Sequence, residues 1–219
     1  MFLGHFGVGF GAKRLAPSLS LGTLFLACQL ADLIWPILLL LGMERVEVQP
    51  GATAMTPLDF VRYPFSHSLV ALGAWAVVMA AIVWAVKRQW SGPPLTVAAV
   101  VVSHWVLDVI THRPDMPLTM GGTQRVGLGL WSSVAGTIAV ETLLFVAGIA
   151  IYCRITKPRD RAGSVGLWLL VAFLVLVYLA SVFGPPPPSS SAVAWTAQAM
   201  WLLVLWAYWV DRHRLPRSS

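Results

Sequence analysis

Long apolar segments, separated by short polar or proline-rich stretches, dominate the chain. Six of them approach the roughly 20 residues that a helix needs to cross a bilayer. They cover about 18–41, 68–86, 94–111, 128–153, 165–183 and 192–210. The breaks contain residues that end helices, such as Gly42, Pro114 and the run Pro185–Pro188. The pattern predicts an all-α integral membrane protein with about six transmembrane helices.

Composition supports the membrane class. Of 219 residues, 58% are hydrophobic and 11% are charged, whereas a soluble domain carries about 25% charged residues. We expect a single membrane domain, 1–219, with a core at 1–153 that carries the candidate site. Residues 154–219 would add a two-helix scaffold, because spans five and six contain no acidic, basic or histidine side chain.

The basic residues alternate along the chain. They lie before span one, between spans two and three, between spans four and five, and after span six: Lys13, Arg14, Lys87, Arg88, Arg154, Lys157, Arg159, Arg161, Arg212, Arg214 and Arg217. The positive-inside rule then predicts cytoplasmic N- and C-termini, with loops 42–66 and 112–127 outside. Topology thus explains the net charge of +6, and we expect no nucleic-acid partner.

Ionisable side chains within apolar segments are costly and therefore point to function. Seven lie in or at the edges of such segments: His5, Asp32, His67, His104, Asp108, His112 and Glu141. His104, Asp108 and His112 are spaced i, i+4, i+8, which puts them on one helix face. Imidazole and carboxylate ligands suit a zinc-like divalent cation. The predicted topology gathers all seven except His5 in the outer half of the membrane.

His5 belongs to an apolar segment, 4–12, that is too short to span. A re-entrant half-helix rising from the cytoplasmic face would carry His5 about 12 Å, to mid-membrane and close to the other candidates. Such a segment is tolerated only inside protein or against water. The alternative is an interfacial segment in which His5 has no role.

Several candidate residues keep a second interpretation. Histidines in membrane helices often only form hydrogen bonds between helices, so the cluster could be a structural polar network. Glu141 could bind a further metal, act as a general base or accept a hydrogen bond. Arg113 could bind an anionic substrate group or anchor the chain at the interface. Asp115 follows Pro114 and is expected to cap a loop, and 114–127 could be a flap or a connector.

Four motifs in order resemble the YdjM-type bacterial inner-membrane proteins, a family described as membrane-bound metal-dependent hydrolases. They are G-H-F near the start, A-D-L-I-W-P in span one, R-Y-P-F-S-H-S before span two and S-H-W-V-L-D in span three. The ligand order is distantly similar to that of helical zinc-dependent phospholipase C and P1 nuclease. The resemblance implies His5, Asp32, His67, His104 and Asp108 as metal ligands, with His112 and Glu141 on a further ion. The chain differs from the family at Ile34 and Trp35, where the family often has a second acidic residue and a histidine, and at Arg62-Tyr63, where the family has a His-Arg pair. It also has Thr137 where a second histidine would precede Glu141 in a full three-zinc site.

These observations favour a hydrolase of the bacterial inner membrane, with one to three divalent cations, most simply Zn²⁺, and a lipid or lipid-linked phosphoester substrate. Asp32 or Asp108 would bridge metals or orient water, and Glu141 would complete the catalytic set. A proton- or metal-coupled transporter is an alternative, although the cytoplasmic halves of the spans are almost wholly apolar. A non-catalytic module with a structural polar cluster is another.

Overall fold

The computed structural model describes residues 1–88 and 91–217, and helices form most of it. In chain order they are α1 (Leu3–Ala12), α2 (Leu21–Cys28), α3 (Leu30–Leu40), α4 (Pro64–His67), α5 (Leu69–Lys87), α6 (Pro93–Thr111), α7 (Val134–Ile155), α8 (Arg161–Phe183), α9 (Ser190–Ala197) and α10 (Met200–Arg212). The strands are β1 (Arg45–Val48), β2 (Leu58–Arg62), β3 (Met116–Pro117), β4 (Arg125–Val126), β5 (Thr156–Pro158) and β6 (Arg214–Pro216). They pair as three antiparallel two-stranded ribbons, β1–β2, β3–β4 and β5–β6.

The chain is an all-α, multi-pass membrane protein, as predicted. Four helices, α5 to α8, are each long and apolar enough to cross a bilayer, and α9 with α10 provides a further segment, Ser190–Arg212. A sixth crossing exists if α2 and α3 form one span, since they are bent by 55° at their junction.

That bend is a difference from the continuous helix expected over 18–41. Gln29, between α2 and α3, has non-helical backbone angles (φ −109°, ψ 9°). The last carbonyls of a helix lack partners within the helix. At the end of α2, the Cys28 carbonyl accepts a hydrogen bond from His104 Nδ1 at 2.8 Å. The bend therefore turns a backbone acceptor towards α6.

The short first helix lies inside the bundle, in agreement with the predicted half-helix. α1 has ten residues, and Phe6 and Phe10 are fully buried. It packs closely against α7 because both helices have glycines at the contact: a Cβ on Gly7 would lie 2.5 Å from the Leu144 carbonyl oxygen, and a Cβ on Gly148 would meet the Gly7 carbonyl. This approach fixes where the start of α1, with His5, lies relative to α6 and α7.

Helix α7 begins at Val134, six residues later than the apolar pattern predicts. Gly129, with φ +73°, and a 3-10 turn over Leu130–Ser132 precede it, and Ser133 caps it by accepting from Gly136 N. Trp131, in this turn, packs on His112 with ring centroids 4.2 Å apart. Apolar residues before α7 therefore cover the polar cluster instead of extending the span.

The bundle has two distinct ends. We call the end with β1–β2 and loop 112–133 the hairpin face, and the end with β5–β6 the ribbon face. At the ribbon face, Lys13 Nζ lies 2.7 Å from Asp211 Oδ2, and Tyr152 Oη donates to Asp211 Oδ1 at 2.8 Å. These contacts tie the end of α1 to α7 and α10.

Candidate metal centre

Five of the seven predicted ligand residues meet inside the bundle. α1 contributes His5, α3 Asp32, α4 His67, and α6 both His104 and Asp108. Their potential ligand atoms form two triads, each with all atoms within 4.8 Å of one another: His5, His104 and Asp108, and Asp32, His67 and His104. All except Asp32 are buried. The five residues come from four helices and span more than 100 positions of the sequence, and the fold brings them into one cluster.

Asp108 lies at the centre of this cluster. Its Oδ1 is 3.0 Å from His5 Nε2, and its Oδ2 is 3.1 Å from His104 Nε2. Asp32 Oδ1 lies 3.2 Å from His67 Nε2 and 3.8 Å from His104 Nε2. The rings of His5 and His104 stack with centroids 3.8 Å apart. Nitrogen and oxygen atoms of this kind are the usual ligands of zinc.

Hydrogen bonds on the far side of two histidines determine which nitrogen carries the proton. His104 Nδ1 donates to the Cys28 carbonyl, which can only accept. His67 Nδ1 lies 2.7 Å from Ser66 Oγ, and that hydroxyl donates to Glu44 Oε2 at 2.6 Å. Ser66 therefore accepts from His67. In the neutral form, both rings must direct the lone pair of Nε2 into the cluster.

Those lone pairs face carboxylate oxygens, which are also acceptors. His104 Nε2 is buried and makes no hydrogen bond within the described residues, although Asp108 Oδ2 is only 3.1 Å away. Two acceptors at this distance repel each other unless a cation or an added proton lies between them. A divalent cation satisfies both, and outer hydrogen bonds like those of His67 and His104 are typical of metal-ligating histidines.

The charge of the cluster also suits a divalent cation. Asp32, Asp108 and Glu141 line one cavity. The amino group of Met1, 2.6 Å from Asp108 Oδ1, is the only non-histidine cation paired with them in residues 1–88 and 91–217. With all three carboxylates ionised and the histidines neutral, three negative charges would face one positive charge, and two would be uncompensated. A divalent cation would balance them and offset the cost of burying charge.

The other two predicted ligands, His112 and Glu141, line the same cavity but lie outside both triads. His112 Nδ1 is 2.9 Å from Asp115 Oδ1, which also accepts from Tyr63 Oη at 2.9 Å. Burial alone would raise the pKa of Asp115, but hydrogen bonds from His112, Tyr63 and Arg113 hold it below its ordinary value. Asp115 is thus a charged acceptor that orients His112, a role beyond the loop cap expected from sequence.

Glu141 makes its contacts with the first turn of α1. Its Oε2 accepts from the backbone N–H groups of Phe2, at 2.8 Å, and Gly4, at 3.3 Å. The start of a helix has unpaired N–H groups and favours a negative charge. The hydrogen-bond acceptor interpretation of Glu141 therefore holds for this oxygen, while Oε1 forms no hydrogen bond with the described part of the chain.

Arg113 is not brought into the cluster. Its guanidinium binds Asp59, donates from Nε to Asp115 Oδ2 at 3.2 Å, and reaches the Ala52 carbonyl. It does not line the cavity, and it connects the β1–β2 hairpin to the turn after α6. Its predicted role in substrate binding stays a prediction.

Two aromatic residues that the sequence does not predict as site residues also line the cavity. Tyr178, on α8, and Trp35, on α3, line the cluster cavity, which has a volume of about 160 Å³. Tyr178 Oη and Trp35 Nε1 are buried and have no hydrogen-bond partner among the residues described. Unpaired buried donors are uncommon, so both are available to a ligand. Nothing in the local sequence distinguishes Tyr178 from a packing aromatic, and Trp35 stands out only because it lies where the family often has a histidine.

Comparison with known protein families, with characterised proteins and with solved structures gives no match for the chain. The case for this centre therefore rests on its own geometry.

Proposed function

We propose that this protein is a membrane-embedded metal-dependent hydrolase. The observation that carries the proposal is the arrangement of His67 and His104. Both rings have Nδ1 engaged by an outer acceptor, and both point Nε2 at a carboxylate within 3.2 Å. A neutral histidine that only joined helices would not need its second nitrogen placed against an acceptor.

The same side chains define the ligand set. His5, His67 and His104 would supply nitrogen, and Asp32 and Asp108 oxygen, which suits Zn²⁺. The two triads share His104, whose single lone pair binds one ion. A second ion would need a bridging carboxylate, and a third would need His112 and Glu141. A bound cation of this type acts as a Lewis acid and lowers the pKa of a coordinated water to near neutrality.

The surrounding residues fit the remaining work of a hydrolase. Glu141 has Oε1 free to accept a proton from the attacking water. Asp32, with 24% of its side chain exposed, can orient that water. The free hydroxyl of Tyr178 can donate to an oxygen that gains charge in the transition state, which is a large source of catalysis.

The position of the cavity favours a lipid-type phosphoester as substrate. The cavity lies between apolar helices, so an amphiphile reaches it more easily than a polar metabolite. By the positive-inside rule, the basic residues of the ribbon face favour a cytoplasmic location for that face and for the C-terminal end of the chain, which would turn the site towards the outer leaflet of a bacterial inner membrane. The N-terminal amino group, expected in the cytoplasm, lies beside Asp108 in the cluster instead. The resemblance to the YdjM-type family is consistent with this proposal and is independent of the geometry.

Metal content tests the proposal directly. We expect transition metal, most simply zinc, in detergent-purified protein measured by elemental analysis. His104→Ala should lose most of it, because His104 belongs to both triads and its loss removes a ligand from whichever triad holds the ion. His213→Ala is the matched control, because this histidine lies near the ribbon face and pairs with Asp160.

Activity is then measured on the metal-loaded protein with phospholipid vesicles and lipid phosphates. Release of a headgroup or phosphate by the wild type, lost in His104→Ala and kept in His213→Ala, would support the hydrolase. Protein that neither contains nor takes up metal would overturn the metal centre in favour of a structural network. Metal accumulation in proteoliposomes without hydrolysis would instead support a transporter.

A further inference from the structure

A second, larger cavity lies beside the cluster. It has a volume of about 750 Å³ and lies between α8, the Pro185–Pro188 run, α9 and the 50–58 segment of the hairpin. No charged residue lines it in the described part of the chain, and its walls are mostly hydrocarbon. Its volume falls within the range of about 300–1,000 Å³ that binds small ligands. We call it the groove.

The groove and the cluster cavity adjoin each other. Five residues line both: Phe2, Met55, Thr56, Leu58 and Ser181. A single ligand that passed this boundary would have one part among apolar side chains and the other beside Asp32, Asp108 and Glu141. An apolar compartment beside a polar one matches the two halves of an amphiphile, and the carboxylates of the polar compartment would accept a phosphate head once the proposed cation is bound beside them.

Unused donors lie on the polar side of the boundary. Tyr178 Oη and Trp35 Nε1 are buried, unpaired within the described chain, and line the cluster cavity. Tyr178 is less than one helical turn from Ser181, a boundary residue. A phosphate oxygen of a bound headgroup would satisfy such donors, whose burial without a partner costs free energy.

We propose that the groove binds the hydrocarbon chain of an amphiphilic substrate whose phosphate-bearing head occupies the cluster cavity. This inference rests on the proposed function and adds where the hydrocarbon chain of the lipid phosphoester binds: it enters between α8 and α9. Each additional buried methylene then strengthens binding by up to about fourfold, until the groove is full.

The test compares dodecyl phosphate with butyl phosphate, whose chain is too short to fill the groove. Protein is held in amphipol, and binding of each probe is measured by calorimetry beside elemental analysis. Ala180→Trp places an indole in the groove. Ala172→Trp is the matched control, since Ala172 is exposed on the same helix and does not line the groove.

We expect wild type and Ala172→Trp to bind dodecyl phosphate at least tenfold more tightly than butyl phosphate. Ala180→Trp should lose that preference while its metal content and butyl phosphate binding stay unchanged. A preference equal to that of wild type in Ala180→Trp would overturn the groove assignment. So would the absence of any chain-length preference in wild type, for example because a second copy of the chain fills the groove.

The two proposals fail in distinguishable ways. Metal-free protein that still prefers dodecyl phosphate, and loses the preference in Ala180→Trp, would refute the hydrolase and keep the groove as a lipid site. Metal-loaded protein that hydrolyses short and long phosphoesters equally, in both variants, would keep the hydrolase and refute the groove.

Discussion

His67 illustrates how the orientation of a single residue in the cluster is fixed by its neighbours. Its Nδ1 is held by Ser66 Oγ, which in turn is held by Glu44. Glu44 is buried and also accepts from the backbone N–H groups of Phe65 and Ser66, at 2.8 and 2.9 Å. The chain Glu44–Ser66–His67 therefore fixes both the tautomer and the ring orientation before any ion binds.

Removing the Ser66 hydroxyl, which connects Glu44 to His67, should weaken metal binding without removing a metal ligand. We expect Ser66→Ala to lower metal affinity about 10- to 100-fold, the usual effect of losing an outer-shell partner, as measured by competition with a chelator. Ser103→Ala is the control, because Ser103 neighbours His104 but donates only to the Val100 carbonyl of its own helix. Equal affinities in the two variants would contradict the role of Ser66.

The sequence predicts which residues could be ligands better than it predicts what holds them. His5, Asp32, His67, His104 and Asp108 stand out because ionisable groups in apolar runs are rare, and the structure brings these five together. Glu44 is indistinguishable from an ordinary loop acid, because its partner Ser66 lies 22 positions away. Contacts between distant loops leave no local pattern.

At the scale of elements, the sequence predicts where the helices lie better than it predicts where they begin, end or bend. The centres of α5, α6 and α8 agree with the apolar runs. The bend at Gln29 and the late start of α7 were not predictable from hydropathy, because Cys28 and Trp131 are apolar whether they face lipid or the cluster. Their positions depend on His104 and His112, which the bend and the turn contact.

The contact of α1 with α7 provides an element-scale prediction. Gly7→Ala adds a methyl that must collide with the backbone of α7, so we expect a loss of about 1–3 kcal/mol in unfolding free energy. Metal affinity should fall as well, because α1 carries His5. Gly11→Ala, on the same helix, would meet only ordinary contacts at 3.8 Å or more and should be neutral or stabilising by up to about 1 kcal/mol.

Thermal unfolding in detergent and elemental analysis of both glycine variants check this prediction. If Gly7→Ala kept full metal content and stability, the close approach of α1 to α7 would not be what positions His5.

Charge is distributed unequally over the whole molecule. Eleven of the 15 Lys and Arg residues lie at or near the ribbon face, while the cluster cavity lies nearer the hairpin face. With this distribution, the positive-inside rule predicts that the outer leaflet supplies the proposed substrate. Orientation is therefore part of the functional proposal, and it can be tested separately from metal binding.

Single cysteines at the two faces provide that test. In a variant with Cys28→Ala and Cys153→Ser, we would introduce Gln49→Cys at the hairpin face or Lys157→Cys at the ribbon face, both at exposed positions. A membrane-impermeant maleimide should label Gln49→Cys in intact spheroplasts and Lys157→Cys only after lysis. The reverse pattern would contradict the proposed topology. It would also turn the cluster and the groove towards the cytoplasmic leaflet, where a different pool of phosphoester lipids would be the substrate.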